Sequence, residues 1–305
     1  MKKKIIYILF ILTTVLISCE KEITVDLPDA EDKIVIEGSI ENGMFPIVII
    51  SRNMSYFDKV DTNTYENLLV TDATVVVTDG IITDTLMFIY PIYIGFGIIG
   101  EIGKSYDLTV IADGKTMTAT TRIPNPVPID SIKFQKTISP EYSAQYNDSL
   151  GFIWMYAKDP DTLGNCYRFF TMTNGPSRHE QLFVHPSTSV TDDQYFNGRN
   201  VEFSFENGDN PYLDDVEPNE SDTGYVKPPS YYFRLGDTVI VKLSSIDPIH
   251  YNFWYTIEQQ VGTDGNPFAS PTTIQSNIKG GGLGVWGGYG AFIDTVILTP
   301  ALLME

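Results

Sequence analysis

Short apolar runs separated by turn residues are the feature of this 305-residue chain that most restricts its fold. Runs such as Ile34–Ile36 and Ile47–Ile50 are β-branched and only a few residues long. Asp79-Gly80 and Asp113-Gly114 each stand between two such runs, and Asp-Gly readily adopts the positive φ angles of a tight hairpin turn. The sequence therefore predicts a mainly β fold and, for residues 33–126, a small sandwich of the immunoglobulin or transthyretin kind.

Three prolines at alternate positions, Pro124, Pro126 and Pro128, interrupt this pattern. Proline lacks the N–H group that a sheet ladder needs, and it favours a stiff, extended backbone. We therefore expect a domain boundary here, with a second β-rich, sandwich-like domain over residues 127–305. The alternative is a proline-rich edge strand inside one continuous domain.

A single helix is predicted in the second half, near residues 248–260. Asp247 is a good N-cap residue, and the proline that follows it suits the first helical position. Ile249, Phe253 and Ile257 recur at every fourth residue, which predicts an apolar face that packs on a sheet.

The N-terminus has the parts of an export signal. Lys2–Lys4 are basic, and Ile5–Ile17 is an apolar run too short to span a membrane, which takes about 20 residues. The run ends in Leu16–Cys19, which resembles the lipobox of bacterial lipoproteins. This resemblance implies that residues 1–18 are a signal peptide and that Cys19 is acylated. The alternative is an ordinary secretory signal with an incidental cysteine.

Residues 19–32 are rich in acids and would form a lipidated tether. Each buried methylene of an acyl chain contributes roughly 0.8 kcal/mol, so several chains at Cys19 would hold the protein on the membrane. The formal net charge of the chain is −19, which repels phosphate backbones and anionic head groups. We therefore exclude nucleic acid as a partner and expect membrane contact through the lipid anchor.

No pattern in the sequence points to catalysis. Cys166 lies in a strand-like stretch without a nearby base, which indicates a buried structural cysteine. His179, His185 and His250 lack the spacing of a helical zinc site, and there is no Gly-x-Ser-x-Gly nucleophile motif. Asp159–Asn165 shares some features of a calcium loop but lacks the later glutamate, so a β-turn is favoured. We predict no enzyme, no cofactor and no metal.

Glycine dominates the segment from Gly280 to Gly290, in which only Leu283, Val285, Trp286 and Tyr289 carry side chains. It contains a Gly-x-Gly-x-x-Gly pattern, but a strand rather than a helix is predicted after it, so nucleotide binding is not expected. Ordering so much glycine costs entropy and needs a compensating contact. Either the segment packs in the core beneath the predicted helix, or Trp286 and Tyr289 bind a partner.

Several short motifs resemble, in order, those of the Bacteroidetes outer-membrane lipoproteins grouped as domain of unknown function 4249. They are Cys19–Glu22, Val35–Gly38, Val70–Val75, Ile123-Pro124, Pro128–Ile132 and Asn277–Gly284. The resemblance covers essentially the whole chain after the signal peptide. It implies no catalytic residues, but it implies a role beside a TonB-dependent transporter, because such transporters are gene neighbours of family members.

We accordingly expect a non-enzymatic outer-membrane lipoprotein that assists a TonB-dependent transporter in nutrient uptake. Glu20 and Glu22 resemble the acidic signal that sends some lipoproteins of this phylum to the cell surface, so the surface is favoured over the periplasmic face. The alternatives are a stand-alone adhesive or glycan-binding sandwich and, third, an exported hydrolase.

Overall fold

The computed structural model describes residues 32–54, 66–137, 149–175, 182–208, 231–263, 266, 270 and 272–304. The predicted signal peptide, Cys19 and the tether up to residue 31 lie outside them. The described residues form a mainly β fold, as the sequence predicts. The strands are β1 (Ile34–Glu41), β2 (Ile47–Arg52), β3 (Thr74–Thr78), β4 (Thr83–Thr85), β5 (Met87–Ile89), β6 (Ile92–Ile94), β7 (Ser105–Ala112), β8 (Lys115–Arg122), β9 (Ile129–Lys136), β10 (Leu150–Lys158), β11 (Cys166–Asn174), β12 (Val190–Asp192), β13 (Asn200–Phe205), β14 (Phe233–Arg234), β15 (Thr238–Ile246) and β16 (Leu283–Ile297), with helix α1 (Pro248–Thr263) before β16 and a 3₁₀ turn (Pro300–Leu302) after it.

Both predicted Asp-Gly hairpins are confirmed. The Asp79 carboxylate Oδ1 accepts hydrogen bonds from the backbone N–H groups of Ile81 (3.0 Å) and Ile82 (2.7 Å), which closes the turn between β3 and β4. At the turn between β7 and β8, Asp113 and Gly114 have φ angles of 50° and 71°. Positive φ at two successive residues matches the right-handed twist of the flanking strands.

An eight-stranded sheet in the order β12-β11-β15-β16-β1-β2-β6-β5 runs through the molecule. Strand β16 lies near its middle, parallel to β1 and antiparallel to β15. The glycine-dense segment is therefore largely part of a 15-residue strand. Close packing explains the glycines: a Cβ at Gly284 would lie 1.9 Å from the backbone oxygen of Ile36, and one at Gly290 would lie 2.2 Å from that of Pro124.

Two hydrophobic clusters pack on one face of this sheet. The first joins β1 and β2 to the four-stranded sheet β4-β3-β7-β8, and the second joins β11 and β15 to a sheet formed by β9, β10, β13 and β14. Alternate residues of a strand share a face, and β16 contributes Trp286 to the first cluster and Phe292 to the second. The arrangement is two adjoining sandwich-like cores that share one sheet.

The two clusters divide between Ile123 and Val127, at the alternate prolines where the sequence predicts a boundary. The large sheet continues across that division, because β16 pairs with β1 on one side and β15 on the other. The domain boundary between residues 126 and 127 stays a prediction, but the shared strand β16 leads us to expect that residues 33–126 do not fold alone.

Helix α1 begins as the sequence predicts, because Oδ1 of Asp247 accepts a hydrogen bond from the N–H of His250 at 2.8 Å. The predicted buried face is wrong at its start: Ile249 is 59 % exposed, whereas His250 is buried. The helix packs over Gly287 of β16, where a Cβ would lie 2.1 Å from Cε1 of His250. The glycine leaves space for an imidazole, and this contact sets the rotation of the helix.

Candidate functional site

Trp286 and Tyr289, the side chains that the sequence offers as possible partner contacts, are both buried in the structure. Trp286 is fully enclosed in the first cluster. Tyr289 packs edge-on against Phe170 and His250, with ring centroids 5.8 and 4.7 Å apart. The glycine-dense segment is therefore held by core packing, which is the first of the two explanations that the sequence allows, and the residues described leave neither ring on the surface.

Arg168 of β11 links helix α1 to strand β16. Its guanidinium is only 3 % exposed; it donates to the hydroxyl of Tyr289 at 2.8 Å and lies 3.4 Å from the ring centroid of Trp254. Ser189 accepts from the Arg168 Nε–H at 3.4 Å and donates to Glu258 of the helix at 2.6 Å. These contacts engage the guanidinium in ring stacking and in two hydrogen bonds inside the core, so we assign Arg168 a structural role.

The environment of these residues strongly perturbs the pKa of His250. Burial, with the charge of Arg168 adding to it, lowers the pKa of His250 to about 3. The neutral ring accepts a hydrogen bond from the indole N–H of Trp254 at 2.9 Å. A histidine kept neutral inside the core is suited to packing rather than to proton transfer near pH 7.

The other chemically distinctive residues are also structural. Cys166 is buried, and desolvation raises the pKa of its thiol to about 12, so it is a poor nucleophile. In the Asp159–Asn165 loop, the carboxylate of Asp159 accepts from the hydroxyl of Tyr167 and from the N–H of Gly198, and Asn165 donates to the carbonyl of Thr162. Within the described ranges, no group of three or more histidine, cysteine, aspartate or glutamate side chains could hold a metal ion.

An exposed apolar surface lies at one edge of the large sheet. It consists of the exposed side chains of the β5–β6 hairpin and of two neighbouring loops, residues 42–46 and 95–100, and we call it the apolar edge. Its members are Met44, Met87, Ile89, Tyr90, Phe96 and Ile99.

The two loops are fixed to each other by backbone hydrogen bonds. Gly43 N–H donates to the carbonyl of Gly100 at 2.8 Å, and Gly100 N–H donates to that of Met44 at 2.9 Å. Phe45 and Phe96 pack edge to face across the loops, with centroids 5.4 Å apart. The exposed side chains are thus presented on ordered backbone.

Asp84 of β4 holds the second of these loops, residues 95–100, in place. Its carboxylate accepts a hydrogen bond from the N–H of Gly97 at 2.7 Å. A Cβ at Gly95 would lie 2.4 Å from Oδ2 of Asp84, and a Cβ at Gly97 would lie 3.0 Å from its Cγ. Glycine is needed at both positions for this close approach, which explains a pair of glycines that the sequence alone leaves without a role.

Strand β5 is the last strand of the eight-stranded sheet on this side, as far as the described chain extends. Its outward residues, Met87 and Ile89, are exposed, whereas Phe88 packs on the first cluster. An exposed apolar edge strand is a surface on which another protein can pair or pack. The sequence did not identify it, because Ile, Met and Phe also compose the buried strands.

Comparison with known proteins gives one match. A family model described as Domain of unknown function (DUF4249) matches residues 20–292. No curated protein and no solved structure matches the chain. None of the helices in the described part of the chain is long and apolar enough to cross a membrane.

Proposed function

The chain belongs to the DUF4249 family, and on that basis we propose that it is a non-enzymatic outer-membrane lipoprotein, anchored at Cys19, that binds a TonB-dependent transporter through its apolar edge. The observation that carries this proposal is the exposure of Met44, Phe96 and Ile99 on two ordered loops. Exposed apolar side chains on two loops that are hydrogen-bonded to each other, in a chain with a formal charge of −19, favour a protein partner.

Preorganisation supports the same reading. Loops that are already hydrogen-bonded to each other and to Asp84 lose little conformational entropy when a partner binds. A lipid anchor adds a second advantage, because it confines the protein and a transporter barrel to one membrane. Confinement raises the effective concentration of one for the other, so a surface of modest size suffices for capture.

The test is co-purification of the full-length lipoprotein from native membranes in mild detergent. The wild-type protein is expected to bring down a β-barrel of much larger mass. A Met44→Asp, Ile99→Asp double variant is expected to lose about tenfold or more of that capture, because charge replaces apolar contacts at the centre of the interface. Its thermal midpoint should stay near that of the wild type, since both side chains are exposed.

Leu163→Asp is the matched control, because Leu163 is 75 % exposed and belongs to a turn outside the apolar edge. It should retain capture. Equal loss in the control, or absence of any barrel with the wild type, contradicts the proposal. Loss of binding to lipid vesicles by the double variant, with capture of the barrel unchanged, would assign the apolar edge to the membrane surface instead.

A further inference from the structure

A row of aromatic side chains crosses the outer face of the sheet formed by β9, β10 and β13. Strand β10 alternates: Ile153, Met155 and Ala157 enter the second cluster, whereas the residues between them point outward and are half-buried. The outward residues, together with the tyrosine that lies opposite Phe152 where β14 approaches, make up the aromatic row: Tyr232, Phe152, Trp154 and Tyr156.

The spacing of the row follows from the strand. Alternate residues of a strand are about 6.6–6.8 Å apart, so Phe152, Trp154 and Tyr156 form a regular series. Tyr232 extends it sideways, with its ring centroid 5.2 Å from that of Phe152. The indole N–H of Trp154 donates to Oε1 of Gln135 on β9 at 2.7 Å, so this ring is directed across the sheet and fixed there.

Polar side chains flank the row on both sides at Trp154 and Tyr156, and on the β9 side at Phe152. On β9, Gln135 and Lys133 are opposite Phe152 and Trp154, and both are exposed. On β13, Ser204 and Glu202 are opposite Trp154 and Tyr156, and both are exposed as well. From Trp154 to Tyr156 the row is therefore one aromatic side chain wide, with amide, ammonium, hydroxyl and carboxylate groups along its margins.

A cavity of about 300 Å³ opens at the Phe152 end of the row. Besides Phe152 and Ser204 it is lined by Pro186, Ser187, Thr188, Phe205 and Glu206. Ser187 donates to the carboxylate of Glu206 within it. The cavity continues the composition of the row, apolar surface beside hydroxyl and carboxylate groups.

We propose that the aromatic row and the adjoining cavity bind a neutral oligosaccharide. The faces of aromatic rings carry partial negative charge and attract polarised C–H groups, which sugar rings present on their faces. The hydroxyl groups around a sugar ring would then meet the amide, hydroxyl, ammonium and carboxylate groups beside the row. An alternation of C–H faces and hydroxyl edges along a polymer fits an alternation of aromatic and polar side chains across a sheet.

Other ligand classes fit this surface less well. A protein interface normally has a broad apolar centre with a polar rim, whereas this row is one aromatic side chain wide from Trp154 to Tyr156 and widens only at Phe152, where Tyr232 lies beside it. A nucleic acid or another polyanion would be repelled by a chain with a formal charge of −19 and by Glu202 and Glu206 beside the row. The site lies on a different sheet from the apolar edge, so the inference is independent of transporter binding.

The test uses full-length protein in detergent and neutral hexasaccharides of glucose, mannose, xylose and galactose, with binding measured by calorimetry and by tryptophan fluorescence. At least one hexasaccharide is expected to bind, and a hexasaccharide of galacturonic acid is expected to bind at least about tenfold more weakly. Trp154→Ala should weaken binding by about tenfold or more at a temperature well below its thermal midpoint, where the variant is still folded. Trp154→Phe keeps an aromatic ring and should restore most of the affinity.

Tyr195→Ala is the matched control, because Tyr195 is 83 % exposed and belongs to the loop between β12 and β13 rather than to the row. It should bind the sugar as the wild type does. The proposal is overturned if none of the four neutral sugars binds, or if Trp154→Ala and Tyr195→Ala bind alike. Loss of barrel capture in Trp154→Ala, with no sugar bound by the wild type, would make the row a protein interface.

Discussion

The indole N–H of Trp286 donates to the backbone carbonyl oxygen of Tyr106 at 3.0 Å, across 180 residues of sequence. The same indole fills the space over Gly38, where a Cβ would lie 2.7 Å from Cε3. A side chain of the last strand thus completes the core of the first sandwich. Its burial gains hydrophobic free energy without leaving a polar atom unsatisfied.

Trp286→Ala is expected to destabilise the protein by about 3–5 kcal/mol, because truncation of a fully buried aromatic leaves a cavity. Urea denaturation monitored by circular dichroism measures the change. Trp286→Phe, which loses less volume, should cost less. An unchanged midpoint for Trp286→Ala, combined with weaker barrel capture, would instead support the alternative that this residue contacts a partner.

Residues 33–126 expressed alone are expected to be unfolded or only partly folded, because that fragment lacks Trp286 and the strand that pairs with β1. Addition of a synthetic peptide covering residues 277–292 should increase its β-sheet signal in circular dichroism. The same peptide with Trp286→Ala is the control. A fragment that folds cooperatively without any peptide would show that the predicted boundary separates independent domains.

Gly287→Ala is expected to destabilise the protein by about 1–3 kcal/mol, since the added Cβ would overlap the imidazole of His250 at 2.1 Å. Gly262→Ala is the matched control, because a Cβ there meets nothing within 4 Å. Thermal denaturation of the two variants compares them directly. Equal midpoints would mean that α1 can move away from β16 at no cost.

His250 makes stability depend on pH. Its pKa is lowered from 6.5 to about 3 by burial, so the unfolded state binds the proton first as the pH falls. The resulting stabilisation is fully present above about pH 6.5 and is lost progressively between pH 6.5 and 3. Unfolding free energies at pH 7.5 and 5.5 should differ more for the wild type than for His250→Gln. Equal differences would place the imidazole in contact with water.

Cys19→Ala is expected to abolish lipidation and to leave the signal peptide uncleaved or the protein unanchored. The prediction follows from Leu16–Cys19, which stands directly after a short apolar run. Metabolic labelling with a fatty acid, followed by membrane fractionation, measures both effects. Ser18→Gly keeps a small residue before the cysteine and should be labelled normally; normal labelling of Cys19→Ala would show that the acyl chains are attached elsewhere.

Local signals in the sequence predict the local structure well. Asp79 and Asp113 stand at hairpin turns, and Asp247 caps α1, because each of these structures is determined by a few neighbouring residues. The rotation of α1 could not be predicted from the sequence of the helix. It depends on Gly287 of β16, which has no side chain and so leaves room for His250. Ile249 has the right spacing for the core but is exposed.

Non-local pairing carries no such signal. The glycine content of Gly280–Gly290 argues against a strand by propensity, yet strand β1, the segment Arg122–Pro124 and helix α1 all require small residues there. The sequence did not predict the aromatic row, for a different reason. Strand β10 is apolar on both faces, so alternation alone does not tell whether Trp154 or Met155 points inward; the surrounding sheets decide it.

The position of β16 in the chain also determines when folding can finish. Neither core closes until residues 283–297 are available, because this strand supplies the first core with Trp286 and the second with Phe292. A chain that is synthesised from its N-terminus must therefore leave one edge of β1 unpaired until β16 arrives almost last. Such long-range pairing slows folding and leaves unpaired strands open to aggregation in the meantime. Folding of this protein should therefore depend on chaperones that hold unfinished chains.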